Sequence, residues 1–244
     1  MTVEAEATVT TWLSRIIAML SKIDGLRLPP HSRRDVESIL VRQITKEIDR
    51  ALPFQAGHGR NTADIALMIG QTMALDADAL HNLKLASLLH DIGFLMLQPD
   101  LLESSGSLEP ASYVAIQHHA RLGANLLKPF MFIREASILI AHHHERWDGS
   151  GYPYGIRGAY IPLGARILAI ADAFDAIVVP EVSERSLRNR IAMKIIRVAS
   201  GTQFDPRMVQ LLDSCLLEGG HDQNSTLHSP ASIGCSDRMK EDAP

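Results

Sequence analysis

His142, His143 and His144 stand side by side, followed by Glu145 and a turn-rich stretch with Gly149, Gly151 and Pro153. Neutral imidazole is the commonest protein ligand for metal ions. A helix ending at adjacent histidines presents two nitrogen donors on a rigid edge, and glycines beyond it let the backbone turn away. Further metal-compatible side chains occur in helical surroundings: His58 after Ala56-Gly57, His90-Asp91 after Leu88-Leu89, His119 ahead of Leu122, Leu126 and Leu127, and Asp172 among Ile167, Leu168, Ile170 and Phe174. An ionised Asp on an apolar helix face costs several kcal/mol unless it is paired or bound to metal. Singly, each residue has a plainer explanation, such as a helix cap, a satisfied core histidine or an ion pair between Asp172 and Arg166. Together they point to a metal centre, and a mixed imidazole and carboxylate set suits iron, manganese or zinc.

These residues need helices to position them. Apolar spacing predicts an amphipathic helix over about 8–24, built on Trp12, Leu13, Ile16, Ile17, Leu20 and Ile23, and a second from about Ser32 with Val36, Ile39, Leu40, Ile44 and Ile48 on one side. From Leu52 the helical pattern recurs over Ile65–Met73, Leu80–Leu89, Val114–Leu127, Ile133–His144 and Ala165–Ile177. A last helix has Asp205 as N-cap and Pro206 in its first turn. No run alternates at period two between turn signals, which argues against a sheet. The expected organisation is all-α: a two-helix segment over 1–51, a helical domain over 52–217 and a disordered, Ser- and Asp-rich tail over 218–244. The two N-terminal helices pack on the chain's own core or, as the alternative, on a second copy in a homodimer.

The chain has 244 residues, 46% of them apolar and 21% charged, with a formal net charge of −4. That balance gives no global electrostatic reason to bind a DNA or RNA polymer or an anionic membrane. No stretch of ~18 uninterrupted apolar residues occurs, and the first residues lack a basic and apolar leader pattern. Cys215 and Cys235 make no zinc or redox spacing and read as reduced thiols. A cytoplasmic location is the expectation. Neither a Gly-x-Ser-x-Gly elbow nor a Walker loop is present.

The order His58, His90-Asp91, His119, His143-His144, Asp172 resembles the HD superfamily of metal-dependent phosphohydrolases. His90-Asp91-Ile92-Gly93 with Gly151-Tyr152-Pro153 is similar to the HD-GYP family within it, supported by Ile161-Pro162-Leu163, Asp172-Ala173-Phe174-Asp175-Ala176 and Gly201-Thr202-Gln203-Phe204-Asp205-Pro206. The resemblance implies an HD-type helical bundle that binds divalent ions, iron or manganese foremost, and hydrolyses cyclic di-GMP to pGpG and onward to GMP. It implies that His58, His90, Asp91 and Asp172 hold one ion and that Asp91 bridges to a second held by His119, His143 and His144, with His90-Asp91 as the catalytic dipeptide. Two ions are implied rather than three, because Phe54 stands where some members carry an extra glutamate ligand. A carboxylate-bridged pair acidifies water for in-line attack and neutralises phosphate oxygens. The loop Gly151, Tyr152 and Pro153 is linked in the family to diguanylate cyclase domains.

Two departures fall on the substrate side. Most members follow the HD-x-Gly with lysine, where this chain has Phe94; losing a charge-assisted phosphate contact is worth about 1.5–3 kcal/mol. A basic segment expected after Asp175-Ala176 is replaced by one containing Glu181 and Glu184, with Arg185 the remaining cation. Arg166 and Arg185 are then the candidate substrate contacts. The leading expectation is a cyclic di-GMP phosphodiesterase of reduced activity. The alternatives are a phosphodiesterase for another cyclic dinucleotide and a regulatory protein that binds cyclic di-GMP or a cyclase partner. Restoring lysine at 94 is the expected discriminator, with a gain in turnover marking the weakened enzyme.

Overall fold

The computed structural model describes residues 3–97, 110–177 and 185–219. Their helices are α1 (Val3–Asp24), α2 (Pro30–Ala51), α3 (His58–Thr72), α4 (Ala77–Leu89), α5 (Pro110–Leu127), α6 (Arg134–Ala141), α7 (Leu163–Ala176), α8 (Arg185–Val198) and α9 (Pro206–Gly219). Short 3-10 turns lie over Pro53–Gln55, Ile92–Met96, Met131–Ile133 and Gly158–Tyr160. Among the described residues no strand forms, only an isolated bridge between Ser200 and Phe204. The all-α expectation therefore holds. The expected tail lies, from residue 220 on, outside the described residues.

Two helices make the centre because the C-terminal half of α4 and most of α7 are apolar nearly all round. α4 buries Leu83, Leu85, Ala86, Ser87, Leu88 and Leu89, and α7 buries Ala165, Ile167, Leu168, Ile170, Ala171 and Phe174. A helix without a polar face has no solvent side and must be surrounded. α3 packs on both, α2 and α6 flank α4, and α9 closes over α3, α7 and α8. Burying each Leu or Ile of this centre contributes about 1.5–3 kcal/mol, enough to hold polar groups at its edge in fixed places. His90-Asp91 follows α4 directly and Asp172 sits inside α7, so both polar groups inherit the rigidity of the core.

The N-terminal helices share that core. Ile16, Leu20 and Ile23 of α1 and Val41, Ile44 and Ile48 of α2 are buried within it. α1 also rests on the turns Ile92–Met96 and Met131–Ile133, and the Asp24 carboxylate accepts the Phe132 N–H at 3.1 Å. One expected core position fails: Ile39 is exposed, and Glu37 is buried in its stead. At about 100° per residue, Ile39 lies ~140° away from the stripe set by Ile44 and Ile48. Glu37 tolerates burial because Arg33 and His81 both reach its carboxylate, at 2.6 and 3.0 Å. At the other end, the expected cap is present, with Asp205 Oδ1 accepting the Arg207 N–H at 2.9 Å.

Candidate metal centre

One local device recurs at the candidate ligands. His90 places Nδ1 2.9 Å from the Ser87 carbonyl, His119 places it 2.7 Å from that of Ile116, and His143 places it 2.6 Å from that of Ile140. In each case the acceptor is three residues back along the helix. A carbonyl can only accept, so Nδ1 carries a proton in each ring and Nε2 is the nitrogen turned into the site. α6 also ends early. The Ile140 carbonyl, engaged by the His143 ring, is the one a further helical turn would offer to the His144 N–H. The helix stops at Ala141, short of the expected His144, and the histidine run lies in a turn.

The freed nitrogens converge. His119 Nε2 lies 3.2 Å from His144 Nε2 and 3.4 Å from His143 Nε2. On the other side, His58 Nε2 is 2.9 Å from Asp172 Oδ1, and His90 Nε2 is 3.6 Å from the same oxygen. Asp91 stands between the two groups, with Oδ2 3.0 Å from His90 Nε2 and Oδ1 3.5 Å from His119 Nε2. The possible ligand atoms of His119, His143 and His144 all lie within 4.8 Å of one another, as do those of His58, His90 and Asp172. His142, the third member of the run, turns away to Glu145 and the Tyr154 ring. All seven residues expected as ligands are therefore brought together in space.

The donor set fits divalent cations. His90 Nε2 is buried and makes no hydrogen bond although a carboxylate oxygen is close by. Buried acceptors facing acceptors are unfavourable until a cation sits among them. Electrostatics divides the site. Burial disfavours charge on His58, but the hydrogen bonds it donates to Asp172 and Asp175 outweigh it and raise its pKa to about 9. His90, likewise opposed by burial, is raised by Asp91 and Asp172. Burial pushes His144 down to about 4 and lowers His119 and His143 as well, the latter further depressed by its histidine neighbours. Asp172 is held well below the usual carboxylate range because His58 and His90 outweigh its burial, and Asp91 is lowered by His90 in the same way.

Two residues without an assigned role in the sequence act here. Asp175 Oδ2 accepts Nδ1–H of His58 at 2.7 Å, fixing the ring so that Nε2 faces Asp172. Its i, i+3 spacing from Asp172 on α7 was the available signal. Glu145, buried, accepts the Tyr154 N–H at 2.8 Å and so ties the Gly-Tyr-Pro loop to the histidine run. The loop lies against that run: Tyr152 donates its N–H to the His144 carbonyl at 3.2 Å, and the two rings are 4.9 Å apart. A Cβ on Gly151 would meet Arg146 N at 2.3 Å, so only glycine permits this approach. Gly151, Tyr152 and Pro153 are half-buried, leaving Tyr154 as the exposed aromatic of the loop.

The expected substrate contacts fare differently. The Arg166 guanidinium is turned to the Asp205 carboxylate at 2.7 Å, the Ile161 carbonyl at 3.0 Å and the face of Trp147, and so clamps α7 to the cap of α9. It is not paired with Asp172. Arg185 opens α8, but its side chain lies outside the described residues, as do Glu181 and Glu184.

Residues 42–208 match the profile of the HD domain. The chain belongs to the HD-domain family. The resemblance to HD-GYP phosphohydrolases drawn from its motifs is borne out at the family level. This HD domain is 30% identical over 177 residues to the cyclic di-GMP phosphodiesterase response regulator RpfG of Xanthomonas campestris pv. campestris, covering 70% of this chain and 47% of RpfG. It is 32% identical to the 3′3′-cGAMP-specific phosphodiesterase 3 of Vibrio cholerae, covering 72% of this chain and 38% of that protein. The solved cyclic GMP-AMP-specific phosphodiesterase V-cGAP3 of V. cholerae shares the fold, with a TM-score of 0.60 at 24% identity over 75% of this chain and 49% of that one. The chain spans less than half the length of the curated relatives named here. No described helix is long and apolar enough to cross a membrane.

Proposed function

We propose that this HD domain is a metal-dependent phosphodiesterase that opens cyclic di-GMP to linear pGpG and onward to GMP in bacterial second-messenger signalling. The observation that carries the reading is one carboxylate, Asp91, facing two three-residue ligand sets with its two oxygens. His58, His90 and Asp172 would hold one ion, His119, His143 and His144 the other, and iron or manganese would suit both. Two such ions supply Lewis acidity to the phosphoryl oxygens and acidify water at neutral pH.

The chain's own residues prepare that chemistry. The Ser87, Ile116 and Ile140 carbonyls and the Asp175 carboxylate keep protons on Nδ1 of His90, His119, His143 and His58, so that Nε2 of these four rings is the nitrogen that meets an ion once any proton on it is displaced. Asp91 and Asp172 are held ionised by the histidines beside them. Burial pushes the Tyr152 hydroxyl up, so it stays protonated beside His144 and can donate to a phosphate oxygen. Arg185 is the remaining candidate for a cationic substrate contact, whereas Arg166 acts on the fold. A diguanylate cyclase domain is the partner proposed for the Gly151-Tyr152-Pro153 loop, and the cytoplasm the compartment. Residues 1–51 act as a helical segment seated on the domain 52–217. A homodimer through α1 has less support, because Ile16, Leu20 and Ile23 already lie in the chain's own core.

A second reading, hydrolysis of another cyclic dinucleotide, is favoured by the loss of the lysine at 94 and by the substrate named for the V. cholerae relative. Incubating anaerobically purified protein, loaded with iron or manganese, with cyclic di-GMP and with 3′3′-cGAMP separates the two. Product from cyclic di-GMP, absent in Asp91→Ala, is the expected result; product from 3′3′-cGAMP alone would transfer the assignment. No product from either by a protein holding two ions would overturn both and leave the role of a binding protein.

A further inference from the structure

We infer that Phe94 is a positioning residue for the metal ligand His119, an inference that rests on the two-ion reading of the site. The phenyl ring lies flat on the imidazole, with centroids 4.2 Å apart and planes within 6°. By contrast, His143 and His144 meet His119 edge-on, at interplanar angles of 69° and 78°. One face of His119 is thus covered by Phe94, while its edge is left to the other ligands. The turn Ile92–Met96 that carries Phe94 is pressed onto α5, because Gly93 has no Cβ; one there would stand 1.9 Å from the His119 carbonyl oxygen. α1 and α2 bear on the same turn from outside. Phe94 is itself half-buried and packed against the core.

Rotation of an imidazole about its Cβ–Cγ bond has broad, shallow wells. The hydrogen bond from Nδ1 to the Ile116 carbonyl restrains that rotation at one edge of the ring. The flat contact with Phe94 restrains it over a whole face, and together they aim Nε2 at Asp91 Oδ1 and at the nitrogens of His143 and His144. Lysine at this position brings a cation but removes the stack. Phe94→Lys is therefore expected to loosen the ion held by His119 instead of only restoring a phosphate contact.

The experiment is titration of the metal-free chain with Mn²⁺ by calorimetry, with ion content per chain measured after dialysis, for wild type, Phe94→Leu, Phe94→Lys and Phe94→Tyr. Leucine keeps the apolar volume and loses the ring; tyrosine keeps the ring. Wild type is expected to take two ions. Phe94→Leu and Phe94→Lys should weaken one of the two by about three- to tenfold, the range of an aromatic pair beyond its burial, and leave the other unchanged. Phe94→Tyr should restore wild-type binding. Two ions bound by Phe94→Leu with wild-type affinity, or both weakened alike, would overturn the inference, since a general packing defect does not select one ion. A wild-type chain that takes up no ion would instead remove the two-ion reading, and the inference with it.

Discussion

The two halves of the centre are built from similar parts and prepared in opposite ways. Around His58 and His90 the carboxylates of Asp172, Asp91 and Asp175 lie close, and in the metal-free chain the imidazoles hold their protons, His58 up to about 9. Around His119, His143 and His144 imidazole faces imidazole, and burial keeps the rings neutral, His144 down to about 4. Loading the first half must displace protons, because ligands bind metal in their deprotonated form. The second half already presents lone pairs. Carboxylate neighbours make a site whose filling depends on pH, whereas a dry histidine cluster makes one whose filling depends on geometry.

Asp91 belongs to both halves, so its loss tests the comparison most severely. Asp91→Ala should lower the content of both ions and reduce hydrolysis to the background rate, as read by ion content per chain and product chromatography. Retention of both ions would show that the halves are independent sites. His58→Ala and His144→Ala should each leave one ion and lose most of the activity, and ion content distinguishes them from Asp91→Ala. Asp175→Ala removes only the partner that orients His58. It should weaken the first ion roughly tenfold and spare the second, as measured by Mn²⁺ titration.

The smallest effect is one of pH. In the unfolded chain both histidines titrate near 6.5; folded and metal-free, His144 binds its proton only near 4 and His58 holds its own to about 9. The stability His144 contributes is full above pH 6.5 and is lost as pH falls from 6.5 toward 4. The contribution of His58 is full below pH 6.5 and is lost as pH rises from 6.5 toward 9. Denaturant midpoints of the metal-free protein should therefore fall on both sides of neutrality. His144→Ala should flatten the acid limb and His58→Ala the alkaline one.

The seven clustered residues were legible because their chemistry is rare on apolar helix faces: Asp172 amid Ile167, Leu168 and Ile170 has few bland explanations. The end of α6 was not: His143 engages the Ile140 carbonyl as His119 engages that of Ile116, yet α5 runs on to Leu127 whereas α6 stops at Ala141. The contacts of Arg166 were hidden for a related reason. Asp205 was readable as a helix cap, but capping uses one of its oxygens, and only the fold reveals that the other meets a guanidinium from α7. Ile39 was assigned inward by residue type, whereas the phase of the helix puts Glu37 there. Phe94 read as the absence of a lysine, and its contact with His119 depends on the missing Cβ of Gly93.

The three carbonyl clasps carry a consequence for how such a centre can change over time. The aim of His90, His119 and His143 is written in the main chain, at positions 87, 116 and 140, and a main-chain oxygen survives any substitution. The side chains there are free to drift within the room the core allows, provided the helix persists. Sequences can thus diverge widely around such a centre while its nitrogens keep their bearings. The heritable part of the aim is a helix with a histidine three residues past an accepting carbonyl, a pattern that tolerates almost any spelling.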